Sequence, residues 1–168
     1  HWSHNVSGSG CGRPPAGPLH AEGCRVARHG RNTPDLEAAA AKLPGAVAVA
    51  GDVTRAEEAK RVVSDALAGL GRLDILVCNV GSGRSITPGR ETPEEWQRIF
   101  ALNLWSATNT VEAARDALVA SGGAIVCVSS IFGLVVVPGA PFRDSAATAP
   151  HNPYVAGMPP PLVPVGGC

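Results

Sequence analysis

Four polar clusters, each directly behind a short strand candidate, carry the groups of this chain best suited to chemistry. The run 24–28 leads into His29-Gly30-Arg31-Asn32, and Ala46–Ala50 leads into Gly51-Asp52-Val53-Thr54. The run 74–78 leads into Asn79-Val80-Gly81, and Ile125–Val128 leads into Ser129-Ser130. A guanidinium such as Arg31 can pair with a phosphate, and a carboxylate such as Asp52 can accept from an amine. A glycine such as Gly81 lets a ligand come close to the backbone. A serine hydroxyl can donate to a carbonyl oxygen as negative charge builds there. The five cysteines are odd in number and irregular in spacing, with no Cys-x-x-Cys pair. Neither a metal site nor a disulfide framework is expected from them.

Such groups act together only if the fold brings them to one edge. Thr33-Pro34 predicts a helix through Lys42, with Thr33 as N-cap and Pro34 in the first turn. Thr54-Arg55-Ala56-Glu57 reads as a capping box for a helix with Ala59, Val62, Val63, Ala66 and Leu67 on one side. Thr92-Pro93-Glu94-Glu95 starts another helix, which runs to about Val119 and is stopped by Gly122-Gly123. Segments 24–28, 46–50, 74–78 and 124–128 read as strands, and Ile75-Leu76-Val77 is continuously apolar, as a strand covered on both faces must be. Alternating strands and helices predict an α/β fold with a doubly wound parallel sheet. Ligands of such sheets bind beyond the carboxyl ends of the strands, where all four clusters fall.

Composition narrows the partners. At 168 residues and 45% apolar content, one domain with a real core is expected. Fourteen basic and fourteen acidic residues cancel, so nothing marks the chain for nucleic acid or an anionic membrane. The uncharged stretch 122–142 has the length of a membrane span, but Ser129, Ser130, Gly133, Pro138 and Gly139 interrupt it. It reads as a buried strand followed by a loop. No charged-then-apolar leader is seen and the cysteines suit a reducing setting, so a cytoplasmic location is expected. Proline divides the chain: three fall in 1–20, eight in 134–168 and four between. The expected division is a Gly/Pro-rich segment at 1–20, an ordered domain at 21–139 and an irregular tail at 140–168. Regular helix is not expected where prolines cluster.

In order, Gly51-Asp52-Val53-Thr54, the segment 73–81, Phe100-Ala101-Leu102-Asn103-Leu104 and Ile125-Val126-Cys127-Val128-Ser129-Ser130 resemble the short-chain dehydrogenase/reductase family over about 21–139. The resemblance implies a Rossmann-like sheet of order 3-2-1-4-5. It implies an oxidoreductase that moves hydride between a nicotinamide cofactor and a small-molecule carbonyl or alcohol. It also implies a homo-oligomer, paired through the long helix at 93–119 and the helix after it. Asp52 and Val53 match the family's adenine contact, although Asp52 could instead cap the following helix. Asn79 and Gly81 match its Asn-x-Gly turn, with Val80 where alanine is usual. Asn103 matches the helix asparagine that supports a water-mediated proton path, its alternative being a bend toward its own backbone. Ser130, with Ser129 as alternative, matches the substrate-orienting serine. Arg31 stands where members preferring NADP place a basic residue, and no acidic residue competes there, so NADP is expected over NAD. A merely solvated arginine is the alternative.

Two departures matter. Gly10 and Gly12 align with the last two glycines of the family's Thr-Gly-x-x-x-Gly-x-Gly turn, but Val6 meets the first unless Gly8 serves. Pro14-Pro15-Ala16-Gly17-Pro18 replaces the helix that should follow, so the phosphate cradle is expected to be damaged or to be a flexible tail. Only about 4–7 remains to fill the central strand, leaving the sheet incomplete there and in the C-terminal part. The family also requires Tyr-x-x-x-Lys, one helical turn apart. Here Asp144 and Thr148 take those positions, the only tyrosine is Tyr154, and the only lysines are Lys42 and Lys60. The expectation is a chain of this oxidoreductase type without turnover and with impaired oligomerisation. The alternatives are a non-catalytic nucleotide-binding domain or a fragment without function.

Overall fold

The computed structural model describes residues 16–82, 90 and 92–130. Within them the order is α1 (Ala16–Ala21), β1 (Ala27–Gly30), α2 (Thr33–Ala40), β2 (Val47–Ala50) and α3 (Ala56–Leu70). There follow β3 (Ile75–Cys78), α4 (Pro93–Phe100), a π-helical turn (Ala101–Trp105), α5 (Ser106–Ser121) and β4 (Ala124–Cys127). Both strand pairs are parallel, β1 with β2 and β3 with β4, with Ala27 opposite Val47 and Ile75 opposite Ala124. The described residues form two two-stranded sheets rather than one. This is an incomplete parallel α/β architecture of the expected class.

The first strand runs later than its candidate segment suggests. Residues His29 and Gly30, expected to end it, belong to β1, because β2 continues the ladder through the Gly51 N–H, which donates to the Gly30 carbonyl at 3.1 Å. Helix α1 is a correction. Pro14, Pro15 and Pro18 argue against a helix there, yet Pro18 sits in its first turn, where the backbone N–H has no partner to lose. Ala16 is buried and packs with Cys24 and Val26, so part of the segment 1–20 is packed with the residues that follow it.

Three helix starts show how local polar groups compete. Thr92 caps α4 as expected, its hydroxyl accepting from Glu95 N–H at 3.3 Å. Asn32 rather than Thr33 stands at the N-cap of α2, and its side-chain amide donates to Asp35. Thr54 does not cap α3, which starts behind Arg55 with no side-chain cap. The Thr54 hydroxyl donates instead to Asp52 Oδ1 at 2.8 Å, and the Thr54 N–H to the same atom at 3.1 Å. An Asx turn has displaced the capping box. Glu58 completes it by accepting from the Asp52 N–H at 2.8 Å.

The core lies between β3, β4 and α5. Leu76 and Ile125 are opposite one another in the ladder and pack with Val63, Val111, Ala114 and Leu118. A second cluster joins Val49, Val53, Ala59 and Val62 between β2 and α3. A cavity is lined by Ala27 and His29 of β1, Val63 and Leu67 of α3, Leu73, and Leu76 of β3. At the end of α5, Gly122 takes a left-handed φ of +64°, and a Cβ on Gly123 would stand 2.7 Å from the Asp74 carbonyl. The expected glycine stop therefore also lets β4 begin against β3.

His29 is buried in β1, with Nε2 2.9 Å from the Gly51 carbonyl and Nδ1 without a hydrogen-bond partner. Nε2 must carry the proton to donate, so protonation would place a second N–H where none of the described residues offers an acceptor. Burial pushes its pKa down, opposed by the Gly51 carbonyl and Asp52. With the native pKa below the unfolded one, the unfolded chain takes up the proton first as pH falls. The stability from a neutral His29 is complete above about pH 6.5 and is lost as pH drops below it toward the native pKa. The expected result is a denaturation midpoint that falls on acidification in the wild type and falls less in His29→Leu. Parallel acid profiles for the two proteins would show that His29 carries no such linkage.

Candidate functional site

The four strands are parallel within their pairs, so each pair sends its carboxyl ends to one edge. Arg31 follows β1 and is exposed to solvent; Asp52 follows β2 and is half-buried. Both act on His29: Arg31 disfavours its protonation and Asp52 favours it. The two charges thus flank the same strand ends. Thr54 takes Asp52 Oδ1, while Oδ2 receives no hydrogen bond from the described residues. The helix-capping alternative for Asp52 becomes a turn just ahead of α3, one that leaves a carboxylate oxygen open.

Val53 is 2% exposed, backbone and side chain together, and packs with Val49, Ala59 and Val62. Asn109 of α5 holds that backbone in place, donating to the carbonyls of Val53 and Thr54, each at 3.2 Å.

The turn after β3 is organised by Asn103. This residue is buried on the π-helical turn, and its amide brackets the Ser82 backbone. Its Oδ1 accepts from the Ser82 N–H at 2.8 Å, and its Nδ2 donates to the Ser82 carbonyl at 3.2 Å. The alternative in which Asn103 bends to its own helix is not realised; Ser106 makes that bond instead, donating to the Leu102 carbonyl at 2.6 Å. A π turn inserts one residue into the helical repeat and re-aims the helix beyond it, so the single expected helix is divided into α4 and α5. A Cβ on Gly81 would lie 3.1 Å from Asn103 Oδ1, close enough that the Asn103 amide would have to give by a few tenths of an ångström. Asn79 and Val80 are half-buried, Val80 against the β2–α3 core.

Beyond β4 stand Ser129 and Ser130, both half-buried. The Val128 N–H donates to the Cys78 carbonyl at 2.9 Å, which keeps β4 on the ladder of β3 up to the residue before Ser129. The structure therefore brings together Arg31 with Asp52 on one strand pair, and Asn79, Gly81 and Asn103 with Ser129 and Ser130 on the other. Gly10, Gly12, Asp144 and Thr148 lie outside the described residues.

Two residues at this edge are not legible in the sequence. One is Asn109. The other is Arg61, which donates to the Ala50 carbonyl at 2.8 Å and pairs with Asp65 at 2.9 Å. Each holds a strand end from a helix distant in sequence. The only cue is a polar side chain near the apolar stripe of its helix.

Comparison with known proteins fits this geometry. A family model described as short chain dehydrogenase matches residues 7–144. A Streptomyces violaceoruber protein named as a ketoacyl reductase of granaticin polyketide synthase is 42% identical over 132 residues, 76% of this chain and 53% of that protein. Among solved structures, a Streptomyces avermitilis short-chain dehydrogenase superposes with a TM-score of 0.87 at 28% identity, covering 98% of this chain and 64% of that one. A 3-ketoacyl-ACP reductase from Sinorhizobium meliloti gives 0.84 at 31% identity, with 91% and 64% covered. The chain thus spans between half and two thirds of the length of these relatives. It belongs to the short-chain dehydrogenase/reductase family, an oxidoreductase family of Rossmann fold that uses a nicotinamide cofactor.

Proposed function

We propose that this chain holds the adenosine end of NADP on the edge formed by β1 and β2 and does not complete the proton transfer of its family. When bound, the cofactor supplies or takes up hydride; every other role falls to the protein. Arg31 pairs with the 2′-phosphate, and the open Asp52 oxygen accepts from the adenine amine. Gly81 and Asn79 admit the cofactor at the turn that Asn103 holds. Ser130 donates to a small-molecule carbonyl or alcohol, with Ser129 as the alternative donor. Asp144 and Thr148 replace the tyrosine and lysine that would deliver and orient the proton.

The carrying observation is the pairing of an exposed guanidinium with a carboxylate oxygen left open across adjacent strand ends, in a chain of this family. No helix among the described residues is long and apolar enough to cross a membrane. The substrate is a small molecule met in the cytoplasm, and self-association is expected to be weaker than is usual in the family. Nicotinamide-fluorescence titration tests the cofactor assignment. NADPH should bind more tightly than NADH, and Arg31→Ala should narrow the gap by roughly tenfold, the size of one hydrogen bond to a charged group. Equal affinities, unchanged by the substitution, would remove Arg31 from the site.

A further inference from the structure

Cys78 and Cys127 close β3 and β4 as directly opposed partners in the parallel ladder. Neighbouring strands stand about 4.8 Å apart, within the roughly 4.4–6.8 Å that disulfide-linked Cα atoms span. Both side chains lie on one face of the sheet, since Leu76 and Ile125, the opposed pair two residues earlier, share the same buried cluster. The ladder continues past them through the bond from Val128 to the Cys78 carbonyl, so the register is fixed on both sides of the pair. Both cysteines are free; Cys78 is buried and Cys127 partly accessible.

We infer that Cys78 and Cys127 form a redox-active dithiol, a modification site for small disulfides such as oxidised glutathione, directly beneath Asn79 and Ser129. The two thiols divide the labour. The neighbouring Cys78 thiol lowers the pKa of Cys127, against the effect of burial, and the Cys127 thiol together with burial raises that of Cys78. The more accessible Cys127 is therefore the attacking thiolate and Cys78 the resolving thiol. Cys127 Sγ attacks one sulfur of the small disulfide, forming a mixed disulfide and expelling a thiolate. That thiolate takes the Cys78 proton, and Cys78 Sγ attacks Cys127 Sγ, expelling the second small thiolate, which takes from water the proton Cys127 had released to it. Two protein thiols are oxidised and one small disulfide is reduced to two thiols. The bridge would pull together the strand ends that carry Asn79 and Ser129. This inference stands on the ladder alone and does not depend on cofactor binding.

Peptide mapping of the whole chain after incubation with oxidised glutathione and quenching by alkylation tests it. The expected product joins the Cys78 and Cys127 peptides and is restored to free thiols by dithiothreitol. Cys78→Ser should retain glutathione on Cys127, whereas Cys127→Ser should leave Cys78 a free thiol. Should either variant fail to fold, the wild-type map decides. Cys78 and Cys127 both remaining thiols in the folded protein, or linking only after urea is added, overturns the inference.

Discussion

Oxidation of NADPH by this chain in the presence of aldehydes or ketones is expected to stay at buffer background. A positioned general acid contributes about 10²–10⁴-fold, and a comparison with a family member carrying Tyr-x-x-x-Lys should show at least that deficit. By the resemblance Asp144 falls at the tyrosine position, and aspartate as a side-chain type, with a reference pKa of about 3.9, is a poor proton donor at neutral pH. Ser130 could still polarise a carbonyl, but the alkoxide formed on hydride arrival would go unquenched. Asp144→Tyr combined with Thr148→Lys should not rescue turnover, because Pro150 and Pro153 follow within the span a helix would need. Ser130→Ala should leave the trace rate unchanged. Steady oxidation abolished by Ser130→Ala would prove the chain a working reductase.

The largest stability effect is expected at Leu76. Its side chain is 1% exposed in the cluster with Val63, Leu118 and Ile125. Leu76→Ala should cost about 2–5 kcal/mol from lost burial and the cavity left behind. Against a typical total stability of about 5–15 kcal/mol, that is a large fraction. Val119, 48% exposed on α5, is the control, and Val119→Ala should stay within about 0.5 kcal/mol. Urea denaturation measures both from the shift in midpoint at constant slope. Equal small shifts would mean that β3 is not the strand on which the core is built.

The legible parts of the fold are those where one signal dominates. Helix α3 carries Ala59, Val62 and Val63 at helical spacing, and Gly122-Gly123 stops α5, Gly122 with a left-handed φ and Gly123 where a Cβ would run into the Asp74 carbonyl. The hidden parts are those where two local signals compete. Pro18 argues against helix, but in a first turn its missing N–H costs nothing. Thr54 offers a cap, but Asp52 two residues earlier takes its hydroxyl first. The π turn leaves no trace in the apolar pattern, and the bond it carries from Asn103 to Ser82 joins residues 21 apart, a contact that no local spacing reports. The site obeys the same rule. Arg31, Asp52, Asn79 and Gly81 stand at strand ends that sequence locates. The burial of Val53 and the braces from Asn109 and Arg61 arise from tertiary packing, which no local spacing reports.

The central claim is that the adenosine half of the cofactor site persists without the catalytic half. Displacement of bound NADPH by its two halves tests it most directly. The expected result is that adenosine 2′-phosphate competes, that Arg31→Ala removes the competition, and that nicotinamide mononucleotide has no effect. Displacement by nicotinamide mononucleotide but not by adenosine 2′-phosphate, or no NADPH binding by the folded chain, would contradict it.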